Sequence, residues 1–153
     1  MVKLKVDFSM RNLSVPVNIW SKSKNRFEEI YALFDTGAHT CAIDTMVLSN
    51  LGYDLEGAMK SYISTASDSL KTVRRVRIDK IMLDKTPFDS VLFNTFEFPI
   101  MSRPIIIGLN LIRQFEININ SKSRIITMNE NYLDKNDDYY DADIFGDWRA
   151  DSL

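Results

Sequence analysis

The chain has 153 residues, of which 45% are hydrophobic and 26% are charged, and its formal net charge at pH 7 is -2. This length and composition predict one globular domain with a sizeable core, and they argue against collagen-like, coiled-coil and wholly disordered chains. The only cysteine is Cys41 and the only histidine is His39, which excludes an intrachain disulfide, a cysteine-based zinc site and a histidine cluster for a metal. We therefore expect no metal and no other cofactor.

Charges are unevenly distributed along the chain. Residues 1–129 contain 17 Lys and Arg against 13 Asp and Glu, whereas residues 130–153 contain 2 against 8. The small net charge gives no reason to expect a nucleic-acid partner, and the longest apolar runs fall far short of the about 18 residues that span a bilayer. Residues 1–5 lack the apolar stretch of a signal peptide. The sequence therefore predicts a soluble, cytoplasmic protein without a membrane partner.

Most of the chain shows patterns typical of β-strands. Residues 2–6 alternate apolar and polar side chains, and residues 15–19 do so around Pro16, which favours a position that is not fully paired. Further strands are predicted at residues 30–34, 59–65, 73–81, 91–93, 105–107, 117–119 and 125–128.

The sequence also indicates a long hairpin and two helices. Residues 59–65 and 73–81 flank the polar residues 66–69, so we expect them to form a hairpin. The helix candidates are residues 46–51 and 109–115. Together these elements predict an all-β domain with little helix.

The last part of the chain has a different character. Residues 130–153 are acidic and polar, and we separate them as a tail from a domain at residues 1–129. The tail also contains the spaced aromatic residues Tyr139, Tyr140, Phe145 and Trp148. Two interpretations stay open: a disordered, solvating tail, or an arm that docks its aromatic side chains on the domain or on a partner.

The first chemically informative segment is Asp35-Thr36-Gly37-Ala38, which directly follows the apolar residues 30–34. Gly37 lets the backbone turn tightly and approach another segment without a Cβ clash, and the Thr36 hydroxyl can hydrogen-bond across a junction. A carboxylate delivered by a buried strand into such a turn is a candidate catalytic group. The alternative is an Asp that only caps a turn at the end of a strand.

A second segment strengthens the catalytic interpretation. Residues 105–112 read IIIGLNLI, which is typical of a buried strand, a glycine and the start of a helix. The two segments, with the hairpin between them, resemble the retroviral-type aspartic proteases (retropepsins) over residues 2–128. The resemblance implies an all-β, single-domain closed barrel with a flap hairpin and a short helix after the Ile-Gly-Leu-Asn segment.

The resemblance also implies a reaction and an assembly. Aspartic proteolysis uses two facing carboxylates that share one proton, one acting as base on a water and the other donating to the scissile carbonyl. This chain has one Asp-Thr-Gly, so the second carboxylate would come from Asp35 of another copy in a two-fold homodimer. Residues 1–8 and 117–128 are candidates for pairing between the two chains. The substrate would be an extended peptide lying under the flap.

Other positions receive roles from the same resemblance. The residues expected to support the active site are Thr36, Gly37, Ala38, Ile107 and Gly108. The candidate substrate contacts are His39, Thr40, Thr65, Ala66 and Ser67. His39 can equally be a loop histidine without a special role, and Cys41 is interpreted as a small core residue. The basic group Arg74, Arg75 and Arg77 is either a solvated strand face or a surface that favours an acidic substrate or the acidic tail.

Three functions stay open from the sequence. The first is a homodimeric aspartic endopeptidase, which the intact Asp-Thr-Gly favours. The second is a peptide-binding or scaffold module that keeps the fold but does not turn over substrate. The third is a protease restrained by its own tail.

Overall fold

The computed structural model describes residues 1–9, 11–64, 70–99 and 102–130. The predicted flap tip, including Thr65, Ala66 and Ser67, and residues 131–153 of the tail lie outside the described residues. The elements, in chain order, are β1 (Val2–Lys5), β2 (Ser14–Ser21), β3 (Arg26–Phe34), β4 (Cys41–Asp44), α1 (Thr45–Asn50), β5 (Met59–Ser64), β6 (Leu70–Leu83), β7 (Thr86–Phe96), β8 (Ile105–Ile107), α2 (Leu109–Ile112), β9 (Phe115–Asn120) and β10 (Ile125–Glu130).

Six strands close into a barrel. The larger sheet has the strand order β2-β3-β8-β4-β7-β6-β5, and β2 pairs again with β6 at Asn18–Met82 and Ile19–Ile81. This second pairing closes β2, β3, β8, β4, β7 and β6 into the barrel. β5 lies outside the closed ring and pairs with β6. Pro16 pairs with β3 but lies outside the β2–β6 pairing, as the sequence predicted. The predicted all-β closed barrel is confirmed.

A second, three-stranded sheet has the order β1-β10-β9, with β1 and β9 at its edges. The segment after β1 connects this sheet to the barrel. The Val6 N–H donates to the Arg124 oxygen at 2.9 Å, and Asp7 forms an isolated bridge with Ser14. Ser14 in turn pairs with Leu33, two residues before Asp35. The N-terminal segment is therefore separated only by β2 from β3, the strand that leads to Asp35.

The barrel encloses one apolar core. Alternate residues of the strands point into it because side chains along a strand project to opposite faces. Burying each such side chain contributes about 1.5–3 kcal/mol to folding. Its fully buried large side chains include Ile19, Ile43, Ile78, Phe93, Ile105 and Ile107.

The predicted hairpin is present, but its long strands continue further than the sequence indicated. β5 and β6 pair from Met59–Arg75 to Ser64–Leu70. Beyond Arg75, β6 continues to Leu83. β7 covers Thr86–Phe96, whereas only residues 91–93 were predicted. Residues 86–90 read TPFDS, are half-buried or exposed and contain no apolar run, so the sequence did not indicate their pairing with β6.

The helix prediction for residues 46–51 is confirmed by α1, and Asp44 caps that helix by accepting the N–H groups of Met46 and Val47. The prediction for residues 109–115 was too long. α2 ends at Ile112, and the buried Phe115 already begins β9 by pairing with Glu130. No strand was predicted at β4, which is only four residues long and lies between β7 and β8.

Candidate active site

Asp35 lies immediately after β3, at the point where that strand leaves the barrel. Its N–H donates to the Ile107 oxygen at 3.0 Å, which continues the parallel pairing of β3 with β8. Its Oδ1 accepts the Gly37 N–H at 2.8 Å, and its carbonyl oxygen accepts the Ala38 N–H at 3.3 Å. The side chain is half-buried. Both the main chain and the carboxylate are therefore oriented, while the carboxylate still reaches solvent.

Gly108 allows the second predicted segment to pack directly on the loop that follows Asp35. A Cβ at this position would lie 2.7 Å from the carbonyl carbon of Thr40 and 3.0 Å from the Ala38 oxygen. Real Cβ atoms do not approach backbone atoms so closely, so a side chain here would force the loop away. Just beyond the glycine, the Leu109 N–H donates to the Ala38 oxygen at 2.8 Å.

Asn110 is a site residue that the sequence prediction missed. Its Oδ1 accepts the Cys41 N–H at 2.7 Å, and its Nδ2 donates to the Leu92 oxygen at 3.0 Å. Its own N–H donates to the His39 oxygen at 3.2 Å. One side chain thus joins α2, the Asp35 loop and β7. The only sequence signal was an amide beside the glycine of the second segment.

Cys41 is fully buried, as predicted, and it belongs to the framework of the site. Its Sγ accepts the Gly108 N–H at 3.3 Å. Burial raises the pKa of the Cys41 thiol to about 12. A thiol with so high a pKa stays protonated and is a poor nucleophile. The candidate chemistry of the site is therefore that of the Asp35 carboxylate.

The predicted site residues fall into two groups. Ile107 and Gly108 contact the Asp35 segment from β8 and the turn after it, as described above. Thr36, Gly37 and His39 are exposed, and Ala38 and Thr40 are half-buried. The structure therefore brings the two predicted segments together.

No cation site accompanies this arrangement in the described part of the chain, where three or more His, Cys, Asp or Glu side chains nowhere form a group suited to a metal. Among the described residues, no helix has the length and apolar character needed to cross a membrane.

The chain resembles known proteins in both sequence and fold. A family model described as an aspartyl protease matches residues 15–111. A retropepsin-like aspartic protease from Rickettsia conorii has a similar fold, with a TM-score of 0.60 and 15% identity, over 84% of this chain and 89% of the other. The retroviral protease-like domain of Ddi1 from Leishmania major gives a TM-score of 0.52 and 19% identity, over 81% of this chain and 95% of the other.

The chain matches none of the curated proteins with which it was compared. The family model nevertheless covers well over half of the sequence, and it includes both Asp35 and Gly108. The chain therefore belongs to the aspartyl protease family and has the retropepsin-like fold.

Proposed function

We propose that this protein is an aspartic endopeptidase that acts as a homodimer. The observation that carries the proposal is the half-buried Asp35 carboxylate, which the Gly37 N–H orients at 2.8 Å while one side stays open to solvent. A turn-capping Asp alone would not need the close packing of Gly108 and Asn110 around its loop. Family membership supports the same reading.

The proposed reaction needs a second carboxylate. In the dimer, Asp35 of each chain faces its equivalent across a two-fold axis, and the pair shares one proton. The ionised carboxylate removes a proton from a water, which attacks the scissile carbonyl carbon. The protonated carboxyl donates to the carbonyl oxygen. Collapse of the tetrahedral intermediate then breaks the C–N bond. The carboxyl that took the water proton donates it to the leaving amine, and the other carboxylate takes a proton back from the intermediate's hydroxyl as the C=O bond re-forms.

The N-terminal segment is the proposed link between the two chains. β1 and β9 are the edge strands of the small sheet, and edge strands pair readily with another chain. Asp7 bridges to Ser14, which pairs with Leu33 near the catalytic residue. Contacts made by this sheet would therefore be transmitted to Asp35 over a short distance. The peptide substrate would lie extended between the two carboxylates and the two flaps.

The test is cleavage of a mixed peptide library by the wild-type chain and by Asp35→Asn. The amide keeps the shape of the carboxylate but cannot act as a base, so we expect a loss of at least about a thousandfold in turnover. Asp89→Asn is the matched control because Asp89 is exposed and, within the described residues, its one ion pair is a surface contact with Lys80 at 3.6 Å. Cleavage by Asp35→Asn at the wild-type rate would remove Asp35 from the mechanism. Library binding without any cleavage by the wild type would identify a peptide-binding module instead.

A further inference from the structure

We propose that the sheet face that carries Asp35 also carries a subsite for an acidic side chain of the substrate, formed by Ser61, Arg75 and Asn94. This inference rests on the proposed function and names the substrate class for that same site. It comes from strand register, from buried polar atoms and from the charge of the flap arms, which here means residues 59–64 and 70–78.

Strand register places this subsite on the same face as the catalytic residue. Side chains two residues apart on a strand share a face, so Asp35 lies on the face of Leu33. From Leu33, a single row of aligned residues crosses the sheet through β8, β4, β7, β6 and β5. Its members are Leu33, Ile106, Ala42, Asn94, Arg75 and Met59.

This face is distinct from the one that forms the main core. Cys41, Ile43 and Phe93 belong to the core cluster, whereas their neighbours Ala42 and Leu92 are buried without belonging to it. The row is also partly open, because Leu33, Ile106 and Arg75 are half-buried and Met59 is exposed. A ligand lying along this face would therefore contact both Asp35 and the flap arms.

Two buried polar atoms on this face need a partner. Ser61 is 1% exposed and Asn94 is 6% exposed, and neither Ser61 Oγ nor Asn94 Oδ1 has a hydrogen-bond partner in the described part of the chain. A buried polar atom without a partner costs free energy, so such atoms are rare unless a ligand completes them. Arg75 lies between the two, opposite Asn94 and diagonal to Ser61, whose own cross-strand partner is Val73.

The charge of the flap arms indicates the sign of that ligand. Within residues 59–64 and 70–78 there is no Asp or Glu, but there are five basic residues: Lys60, Lys71, Arg74, Arg75 and Arg77. Lys71 and Arg74 donate to the main-chain oxygens of Glu97 and Ala58, both at 3.3 Å, and these contacts do not neutralise their charge.

A substrate carboxylate suits all three members of the subsite. It can accept hydrogen bonds from the Ser61 hydroxyl, the Arg75 guanidinium and the amide of Asn94, which presents either its oxygen or its NH₂ on rotation. Asp44, a further carboxylate on this face, accepts the N–H groups of Met46, Val47 and Phe98.

The position of the subsite predicts which substrate residue it reads. Asn94 lies three strands away from Asp35, which is roughly 14 Å at the usual strand spacing of about 4.8 Å. An extended peptide advances about 3.4 Å per residue. Dividing these two lengths places the acidic side chain about four residues from the scissile bond.

The test uses the full chain and sets of peptides that differ at one position, as glutamate, glutamine or leucine. We expect glutamate to exceed glutamine in kcat/KM by about tenfold at one position, about four residues from the cleaved bond. Arg75→Gln and Asn94→Leu should each bring that ratio close to unity, mainly through KM. Asn50→Leu is the control because it changes an exposed Asn, at the end of α1, in the same way. The two variants lie on different strands, so if one fails to fold the other still decides.

Cleavage with no preference for glutamate at any position, or a preference for leucine, would overturn the subsite and leave the protease proposal standing. If the wild type cleaves no peptide, the protease proposal fails, and the subsite is decided by binding of fluorescein-labelled peptides to Asp35→Asn. Tighter binding of the glutamate peptide, lost on adding Arg75→Gln, supports the subsite. Equal binding of the glutamate and glutamine peptides overturns it.

Discussion

The loop after Asp35 and the flap arms differ in how firmly the rest of the described structure holds them. The loop is held by hydrogen bonds from outside its own strand, since Ala38, His39 and Cys41 all bond to residues 109–110. The β5 arm of the flap has one neighbour in the described sheet, β6, and it exposes Met59 and Tyr62. A catalytic group benefits from fixed geometry, whereas a surface that contacts varied peptides benefits from freedom to adjust.

This difference predicts which substitutions should change stability and which should change substrate preference. Changes around residues 107–110 should reduce stability and activity together, because they disturb a packed junction. Changes in the flap arms should alter substrate preference with little effect on stability.

Replacing Gly108 with alanine should have the largest effect on stability. The new Cβ would meet the Thr40 backbone at 2.7 Å, so the loop or α2 must move. We expect a loss of about 3 kcal/mol in the free energy of unfolding, with little remaining activity. Gly57→Ala serves for comparison: its Cβ would meet no atom within 4 Å, so we expect only the backbone strain at φ +79°, about 1 kcal/mol. Equal denaturation midpoints for Gly108→Ala and the wild type would show that the close packing is not needed.

Replacing Asn110 with alanine should have the next largest effect. The Cys41 N–H and the Leu92 oxygen would both lose their side-chain partner. The expected cost is about 2 kcal/mol in unfolding free energy, since a part-buried donor is left unsatisfied. Turnover should fall further than stability alone explains, because the loop carrying Asp35 loses a tether. Asn50→Ala, at the exposed end of α1, should change neither quantity, and an Asn110→Ala protein with wild-type stability would contradict the proposed bridging role.

The Cys41 thiol should make stability depend on pH in the alkaline range. Because burial raises its pKa to about 12 from an ordinary value of 9.0, the thiol stays protonated in the folded chain after the unfolded chain has lost its proton. Stability from this group is complete below pH 9 and is lost as pH rises towards 12, with about 1 kcal/mol lost by pH 10. Chemical denaturation from pH 8 to pH 10 should show a shallower decline for Cys41→Ala. Rapid labelling of the native wild type by a thiol reagent at pH 8 would contradict this burial.

Removing the acidic tail should have the smallest effect on activity, and we expect that effect to arise at the flap arms. We propose that residues 131–153 weakly compete with acidic substrates for the basic flap arms. Truncation after Glu130, the last residue of β10, keeps that strand whole. It should raise kcat/KM a few-fold at low salt and less at physiological salt, where charges are screened beyond about 8 Å. Identical kinetics for the two chains at both salt concentrations would leave the tail without a regulatory part.

The sequence predicted the elements whose signals are local. A short apolar or alternating run in the sequence indicates the strand at Ile105–Ile107 and each arm of the hairpin. The Asp35 turn is equally local, since a buried strand, a carboxylate and a glycine follow one another directly. The family resemblance rests on the same features, so the general fold could be predicted from the sequence.

The parts that were missed depend on contacts between distant segments. β4 is four residues long, and it becomes a strand because β7 and β8 flank it. Asn110 gains its role only when α2 reaches the Asp35 loop, 69 residues earlier at Cys41. The row of aligned residues through Asn94 likewise can be traced only once five strand registers are known. No local pattern could have revealed these relationships.

The central claim is that two Asp35 carboxylates form one active site across a dimer, and mixing the wild type with Asp35→Asn tests it most directly. Equal amounts would be incubated until subunits exchange, and peptide cleavage compared with the wild type at the same total concentration. If only dimers with two wild-type chains are active, random pairing leaves about one quarter of the activity. Retention of about one half would mean that each chain works alone, and would contradict the shared site.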